Sequence, residues 1–468
     1  MSWLSIALIA IFMVTQILYL LSMLVDGYIY TRPVNRVDMS VLKTMSLDEY
    51  PSIVLFYPVL NEAEDTMATT FSALDVIDYP KDRYTVVAIP NENDVETIAS
   101  LRRLQQRFAF LQVTPVPPTS DPRWAPVWEA WESNHKAYWF HNGPRAGNRD
   151  LPPKKTRQMI YAFYNLVKER GTDFILNYID ADSAPPRDHF LAGAAGMREY
   201  DVLQSRNVAG NLLKNMASTM FAFDHLIWDA NKYGHLTANG KQPYWMLGKG
   251  LFFRAKDLID LGGFHPWITI EDPEVGMRFW KAGKRLGLID APLIEEVPET
   301  FGHGITQRKR WVAGFFQSLD VPLRELGFTR MERFKAWMNF LPCLSLWTNV
   351  IGIPIGIWAL VAWGMGNSPL PDWSLALAGV NLVIFVASLI NIYVGAWKMT
   401  KVVLPSFGKR LWYLIRVNPV FLFIYWIWWI IPLWIGWRMY RRDEGLVWER
   451  TLKVNSIEAA VRQRGTQS

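Results

Sequence analysis

Two acidic clusters and one cationic-aromatic run hold the residues best suited to chemistry. Asp180-Ala181-Asp182 closes an apolar stretch, Asp173 to Tyr178. Glu271-Asp272 stands before a segment expected to be helical, Val275 to Ala282, and Gln307-Arg308-Lys309-Arg310-Trp311 follows shortly after. Carboxylates one residue apart at a strand end can both face a hard cation such as Mg²⁺ or Mn²⁺, which keeps waters and takes its remaining ligands from substrate phosphates. A solvated turn would have the same composition. Asp272 admits two readings: a carboxylate before a helix is an N-cap in most proteins, whereas a buried acid beside a hydroxyl can take its proton as general base. Acids for a cation, an acid for a proton and a cationic-aromatic helix together suit the handling of a diphosphate-linked sugar.

The cationic run opens an amphipathic helix expected over Thr306 to Leu319, with Trp311, Phe315 and Phe316 facing either the bilayer or a sugar ring. Three successive cations are usually a solvated face or an interfacial anchor. The functional alternative has Arg310 neutralise a leaving diphosphate while Trp311 stacks on an acceptor sugar. Between the acidic clusters lies a glycine-rich stretch, Leu247-Gly248-Lys249-Gly250-Leu251-Phe252-Phe253-Arg254. It lacks the GxGxxG spacing of a phosphate loop, so close backbone packing beside a substrate is the expected role. That places Gly248 and Phe252 on the acceptor side.

Positioning such groups requires strands that end together. Ser52-Ile53-Val54-Leu55-Phe56-Tyr57 is a continuous apolar run closed by Pro58, as a buried parallel strand would be, with Asn61 and Glu62 in the loop beyond it. A second strand, Tyr84 to Ile89, runs into Pro90-Asn91-Glu92-Asn93-Asp94. Open α/β sheets bind ligands at the carboxyl ends of their strands, although Asn and Asp are also ordinary turn formers. Lys154 and Lys155, in Pro-Pro-Lys-Lys, could meet a diphosphate or simply be solvated.

The chain has 468 residues, 50% of them apolar, with 23 Trp and a net charge of +6, a composition rich for a soluble protein. The basic residues cluster beside apolar segments (Lys398, Lys401, Lys409, Arg410; Arg438, Arg441, Arg442), which fits anionic headgroups better than nucleic acid. The single Cys343 excludes a disulfide framework, and its apolar surroundings make it an expected core residue. Residues 1–30 read as a retained membrane anchor, since Ser2 to Val25 is nearly all apolar and no small-residue cleavage site precedes Asp26. Residues 31–333 read as one α/β domain, 334–442 as a membrane region and 443–468 as a basic tail on the cytosolic side. Leu341 to Trp363 and Trp373 to Trp397 form a membrane hairpin. Val417 to Trp437 is either a further span or, given Pro419, Pro432 and basic clusters on both flanks, an interfacial or re-entrant helix.

The order of these elements resembles the membrane-bound family 2 glycosyltransferases, the group of cellulose, hyaluronan, chitin and curdlan synthases. The matching residues are Tyr57-Pro58-Val59-Leu60-Asn61-Glu62, Asp94, Asp180-Ala181-Asp182, Glu271-Asp272, Glu296-Val297-Pro298-Glu299-Thr300 and Gln307 to Trp311, across about residues 50 to 320. Each motif is weak alone, and their order and spacing make the resemblance specific. It implies a GT-A fold, α/β and fused to transmembrane helices, that takes a nucleotide sugar, usually a UDP-sugar, at the cytosolic face with Mg²⁺ or Mn²⁺ and inverts the anomeric centre. Pro58, Asn61, Glu62, Asp94, Lys155, Asp180, Gln307, Arg310 and Trp311 would then contact the donor. Asp180 and Asp182 would organise the metal, Asp272 with Glu271 beside it would be the base, and Trp311 would also meet the acceptor. Two departures stand out: the family's Thr-Glu-Asp is Ile270-Glu271-Asp272 here, and its Lys-Pro-Lys-Ala-Leu-Asn-like stretch is faint in Lys154 to Ala162.

The expected activity is extension of a polysaccharide at the plasma or inner membrane, with export, through a homo-oligomer or a partner. Transfer of a single sugar to a lipid-linked acceptor is the alternative within enzymes, and a catalytically silent membrane scaffold the alternative outside them. Retention of all three acidic motifs argues against silence.

Overall fold

The structure, a computed structural model, describes residues 3–236, 243–442 and 454–465, and the side chain of Cys343 lies outside the described residues. Apolar runs closed by turn-forming residues build the sheet. Every residue of β1 (Ile53–Pro58) is buried, as a strand covered by helices on both faces requires. β2 (Tyr84–Ile89), β3 (Leu111–Val113), β4 (Ile175–Tyr178), β5 (Val202–Ala209), β6 (Leu251–Arg254) and β7 (Leu286–Glu295) complete seven strands in the order β3-β2-β1-β4-β6-β5-β7. β1 to β4 are mutually parallel, and β5 pairs in parallel with β7. β6 alone runs against its neighbours β4 and β5. The expected α/β class is thus observed, and the three strands read from sequence are β1, β2 and β4 to within two residues.

The reversal of β6 decides what meets at the sheet edge. Its first residue, Leu251, pairs with the last of β4, Tyr178. The glycines before β6 therefore sit where β1, β2, β4 and β7 end. Gly250 has φ +57°, and a Cβ there would lie 2.6 Å from Ser205 Oγ, so only glycine fits. Pleating sends Leu251 and Phe253 into the core shared with Phe56, Tyr178 and Phe264. Phe252 goes to the opposite face, against His189 and Leu203.

Helices α1 (Trp3–Tyr30), α2 (Val95–Gln105), α3 (Lys155–Arg170), α4 (Met216–Leu226), α5 (Asp272–Lys281) and α6 (Phe301–Glu325) are followed by α7 (Arg330–Gly364), α8 (Asp372–Met399), α9 (Phe407–Arg416), α10 (Pro419–Arg441) and α11 (Glu458–Gly465). Among the described residues, three helical stretches are long and apolar enough to cross a membrane: Ile6–Tyr30, Asp372–Val402 and Pro419–Arg441. Val350–Gly364, in α7, is a shorter apolar stretch, and the side chains of 341–349 in the expected span Leu341 to Trp363 lie outside the described residues. α10 is one continuous helix, with Pro419 in its first turn, where a missing N–H is tolerated, and Pro432 inside it. The segment before it is amphipathic: α9 exposes Phe407, Leu411, Trp412 and Ile415 along one face, beside Lys409, Arg410 and Arg416. Of the expected basic tail, 454–465 docks on the sheet edge. The Val454 and Ser456 N–H groups donate to the Glu296 carboxylate, and Arg464 donates to the Ala184 and Pro185 carbonyls.

One helix joins the two halves. The cationic run lies inside α6, which begins at Phe301, five residues before the expected start. The cation it turns inward is Arg308, fully buried, stacked 4.3 Å from the Phe221 ring and 4.7 Å from Trp311. Its guanidinium pairs at 3.3 Å with Asp224 of α4, a carboxylate that also accepts from Tyr425 and Trp429 of α10. Alongside, Gly436 of α10 packs so tightly on α6 that a Cβ would lie 2.6 Å from the Lys309 carbonyl oxygen. Arg308→Ala would leave Asp224 buried without its cation, and we expect a loss of about 3–5 kcal/mol. Thermal unfolding in detergent would read this, and an Arg310→Ala variant of equal stability loss would deny Arg308 its special place.

Candidate active site

Five carboxylates collect at the sheet edge, and two lysines lie among them. Asp180 and Asp182 follow β4, with the intervening Ala181 carbonyl accepting from Tyr57 Oη at 2.6 Å and Thr70 Oγ1 at 3.0 Å. Those two bonds fix the turn that presents the aspartates. Asp182 is buried and accepts the Glu296 N–H at 3.0 Å. Glu295, the last residue of β7, accepts from Ser183 Oγ at 2.7 Å and pairs with Lys249 at 2.6 Å. Burial pushes the Glu295 carboxyl up, Lys249 opposes this, and Asp182 and Asp180 add to the rise.

Lys155, at the start of α3, reaches Asp180 at 2.6 Å and Glu271 at 3.6 Å. Burial alone would weaken this ammonium, but the attraction of Asp180 and then Glu271 overcomes it and raises its pKa above the ordinary lysine value. Neighbouring Lys154 turns away and donates to the Ile268 carbonyl. A hard cation fits the Asp180–Asp182 pair by donor chemistry: Asp180 is partly exposed to the cleft and already attracts a cation, the Lys155 ammonium. Among the described residues no group of three or more His, Cys, Asp or Glu is arranged to hold a metal. The protein would therefore supply two carboxylates, with diphosphate and water completing the shell, as Mg²⁺ and Mn²⁺ accept.

Asp272 is not a helix cap. The N-cap position of α5 is Glu271, whose side chain makes no capping bond, and Asp272 is the first helical residue. Its carboxylate crosses to the glycine-rich loop and accepts the Gly248 N–H at 2.7 Å. Burial first, then repulsion from Glu271, raises Asp272 from the usual aspartate range to about 7, against the opposing pull of Lys155. A carboxylate with that affinity for a proton is matched to general-base work near neutrality. The loop before it is pressed on α6: a Cβ on Gly314 would fall 2.1 Å from Ile270 Cγ1. Ile270 thus serves as a packing contact with the cationic-aromatic helix.

Residues 175–440, more than half of the chain, match the family model described as glycosyl transferase family group 2. The chain belongs to this glycosyltransferase family. A probable glycosyltransferase of Sulfolobus acidocaldarius is 24% identical over 267 residues, covering 54% of this chain and 56% of that protein; the chain spans about half the length of this curated relative. Among solved structures, it is similar to the mannosyltransferase PcManGT of Pyrobaculum calidifontis, in complex with GDP-Man and Mn²⁺, at 16% identity and a TM-score of 0.48, covering 92% of this chain and 97% of that one. TarS 1-349 of S. aureus is 12% identical with a TM-score of 0.37, covering 84% and 92%.

The remaining expected residues divide by position. Asp94 has both carboxylate oxygens engaged locally, one capping α2 through the Thr97 N–H at 3.3 Å and the other accepting the Asn61 N–H at 2.6 Å. It joins two strand-end loops, and Asn61 takes φ +48° to make that bond. Pro58 is buried at the end of β1, and the Glu62 N–H donates to Thr97 Oγ1. Gln307 accepts from Arg308, while Arg310 is half-buried on α6. Trp311 sits 6.0 Å from His225, whose Nδ1 lies 3.3 Å from Lys249 Nζ. Phe252, expected beside the acceptor, is fully buried in the sheet; the antiparallel pairing of β6 turns it away from the cleft. Sequence reasoning missed Lys249 and Glu295, because the bridge between Ala184 and Ile294 that sets Glu295 beside Ser183 is a long-range contact.

Activity should depend on deprotonated Asp272. We expect kcat/KM to rise with pH through about 7, and Lys155→Met to move that limb to higher pH by removing the cation that holds Asp272 down. Asp272→Asn should lower kcat roughly 10²-fold or more across the range. A wild-type profile that stays flat from about pH 5.5 to about 8.5 would assign the base elsewhere.

Proposed function

We propose that this sheet edge transfers a sugar from a nucleotide diphosphate sugar, a UDP-sugar in the first instance, to a hydroxyl of a growing glycan at the cytosolic face of the membrane. The observation that carries this reading is Asp272: a carboxylate aimed across the cleft at the glycine-rich loop, raised to about 7, opposite the Asp180–Asp182 pair. The acceptor oxygen attacks the anomeric carbon as its proton passes to Asp272. The bond from that carbon to the diphosphate oxygen breaks, and the nucleoside diphosphate leaves with the electron pair, which inverts the anomeric centre. When bound, Mn²⁺ or Mg²⁺ held by Asp180 and Asp182 would neutralise charge developing on the diphosphate.

Other residues position or neutralise. Lys155 keeps Asp180 and Glu271 from repelling one another, and its Coulomb pull limits how far Asp272 rises. The Gly248 N–H orients the Asp272 carboxylate. Trp311, half-buried beside His225, offers a ring face for the acceptor sugar, with Arg310 one residue before it for the diphosphate. A second reading, transfer of one sugar to a lipid-linked acceptor, is favoured by the small number of long apolar helices: three among the described residues.

Detergent-purified protein with Mn²⁺ and a panel of nucleotide sugars should release nucleoside diphosphate with one donor. Asp180→Asn and Asp182→Asn should each weaken metal and donor binding as well as turnover. A ladder of lengthening products supports extension of a glycan, a single short product supports the second reading, and no release with any donor would leave only the silent scaffold.

A further inference from the structure

Away from the cleft, a cavity of about 860 Å³ opens between α1, α8 and the outer edge of β5 and β7. Its walls and floor differ in character. The walls come from two helices that are long and apolar enough to cross a membrane, through Met23 and Gly27 of α1 and Val383, Ile384, Ala387 and Val394 of α8. The floor lies at the ends of those helices nearest the sheet and carries Arg36, Arg206 and Lys398. The lining holds one carboxylate, Asp290, which Arg36 and Arg206 share, the latter at 3.4 Å. Arg206 is mostly buried, and its Nε has no hydrogen-bond partner. Burial also holds its pKa below the usual arginine value.

A buried guanidinium with an unused donor is costly unless an anion reaches it. From Val383 to Val394 the α8 wall extends roughly 16 Å, so an apolar chain of comparable length lies along it while a headgroup rests on the cations. We propose that this cavity binds an anionic phosphate-bearing lipid, its phosphate on Arg206, Arg36 and Lys398 and one chain between α1 and α8. Basic pockets between membrane helices on the cytosolic side take such headgroups. A zwitterionic lipid would bring its own cation to this floor and be disfavoured. The site also has a route to the cleft. Arg206 lies two residues beyond Gln204 on β5, and Gln204 accepts the Leu247 N–H and donates to the Lys249 carbonyl, flanking the Gly248 that orients Asp272.

The test uses the full chain in vesicles of phosphatidylcholine containing a minor fraction of phosphatidic acid, followed by native mass spectrometry after mild detergent release. Phosphatidic acid should remain bound in preference to phosphatidylcholine. Retention should fall about fivefold in Lys398→Gln, since one headgroup cation is worth about that factor, and further in Arg206→Gln. A Cβ on Gly27 meets nothing within 4 Å, so Gly27→Leu should obstruct the apolar wall without disturbing the fold and lower retention. Nucleoside diphosphate binding, read in the same samples, should stay unchanged in Lys398→Gln and Gly27→Leu, which separates this site from the transferase reading. Equal retention of both lipids, or undiminished retention in Lys398→Gln and Gly27→Leu, would overturn the proposal. So would full displacement by inorganic phosphate with equal phosphate binding in Gly27→Leu, because the ligand would then be a free anion.

Discussion

Like charges crowded at one edge of a sheet repel, and that repulsion is the constraint on which the site depends. Asp180, Asp182, Glu271, Asp272 and Glu295 converge where β1, β4 and β7 end and β6 begins. Lys155 and Lys249 neutralise them in separate pairings, Lys155 with Asp180 and Glu271, Lys249 with Glu295. Asp182 takes a backbone N–H instead. Burial raises the affinity of Glu295 and Asp272 for a proton; at Asp272 the adjacent Glu271 adds to the rise and the shared Lys155 opposes it. The base and the cation-binding pair proposed above would both draw on this scarcity of positive charge among many negative ones.

That edge is packed through α4 and α6 against α10, one of the helices long and apolar enough to cross a membrane. Lys249 touches His225, His225 faces Trp311, Trp311 stacks with Arg308, and Arg308 pairs with the Asp224 that α10 also engages. On its other side α6 presses Gly314 on Ile270, two residues before Asp272. A displacement of α10 would therefore reach both Trp311 with His225 and the loop that carries Asp272. Within α10, Tyr425 and Trp429 donate to Asp224, a carboxylate of the α/β domain.

Much of this was legible in the chain because it rests on local pattern. Unbroken apolar runs ending in Pro, Asn or Asp announced β1, β2 and β4, and the aspartates after β4 followed from their place. What was illegible depends on partners distant in sequence. The run Gln307 to Trp311 contains three adjacent cations, and only Asp224, 84 residues earlier, determines that Arg308 is the one turned inward. Phe252 could be placed beside the acceptor only while the direction of β6 was unknown, since reversing a strand leaves its alternation intact but changes which residues meet the cleft. The N-cap expected of Asp272 failed for a related reason, as the Gly248 N–H that claims its carboxylate comes from another element.

A single displacement needs one base and no protein nucleophile. Here the other carboxylates of the edge are engaged by lysines or backbone N–H groups, while Asp272, oriented by the Gly248 N–H, has its affinity for a proton raised to about 7. The most direct measurement is the anomeric configuration of the first-formed product, read by proton NMR coupling before mutarotation or further transfer. Inversion relative to the nucleotide sugar is the predicted result. Retention would require a second displacement on a protein nucleophile, and would contradict Asp272 as a base acting on the acceptor hydroxyl.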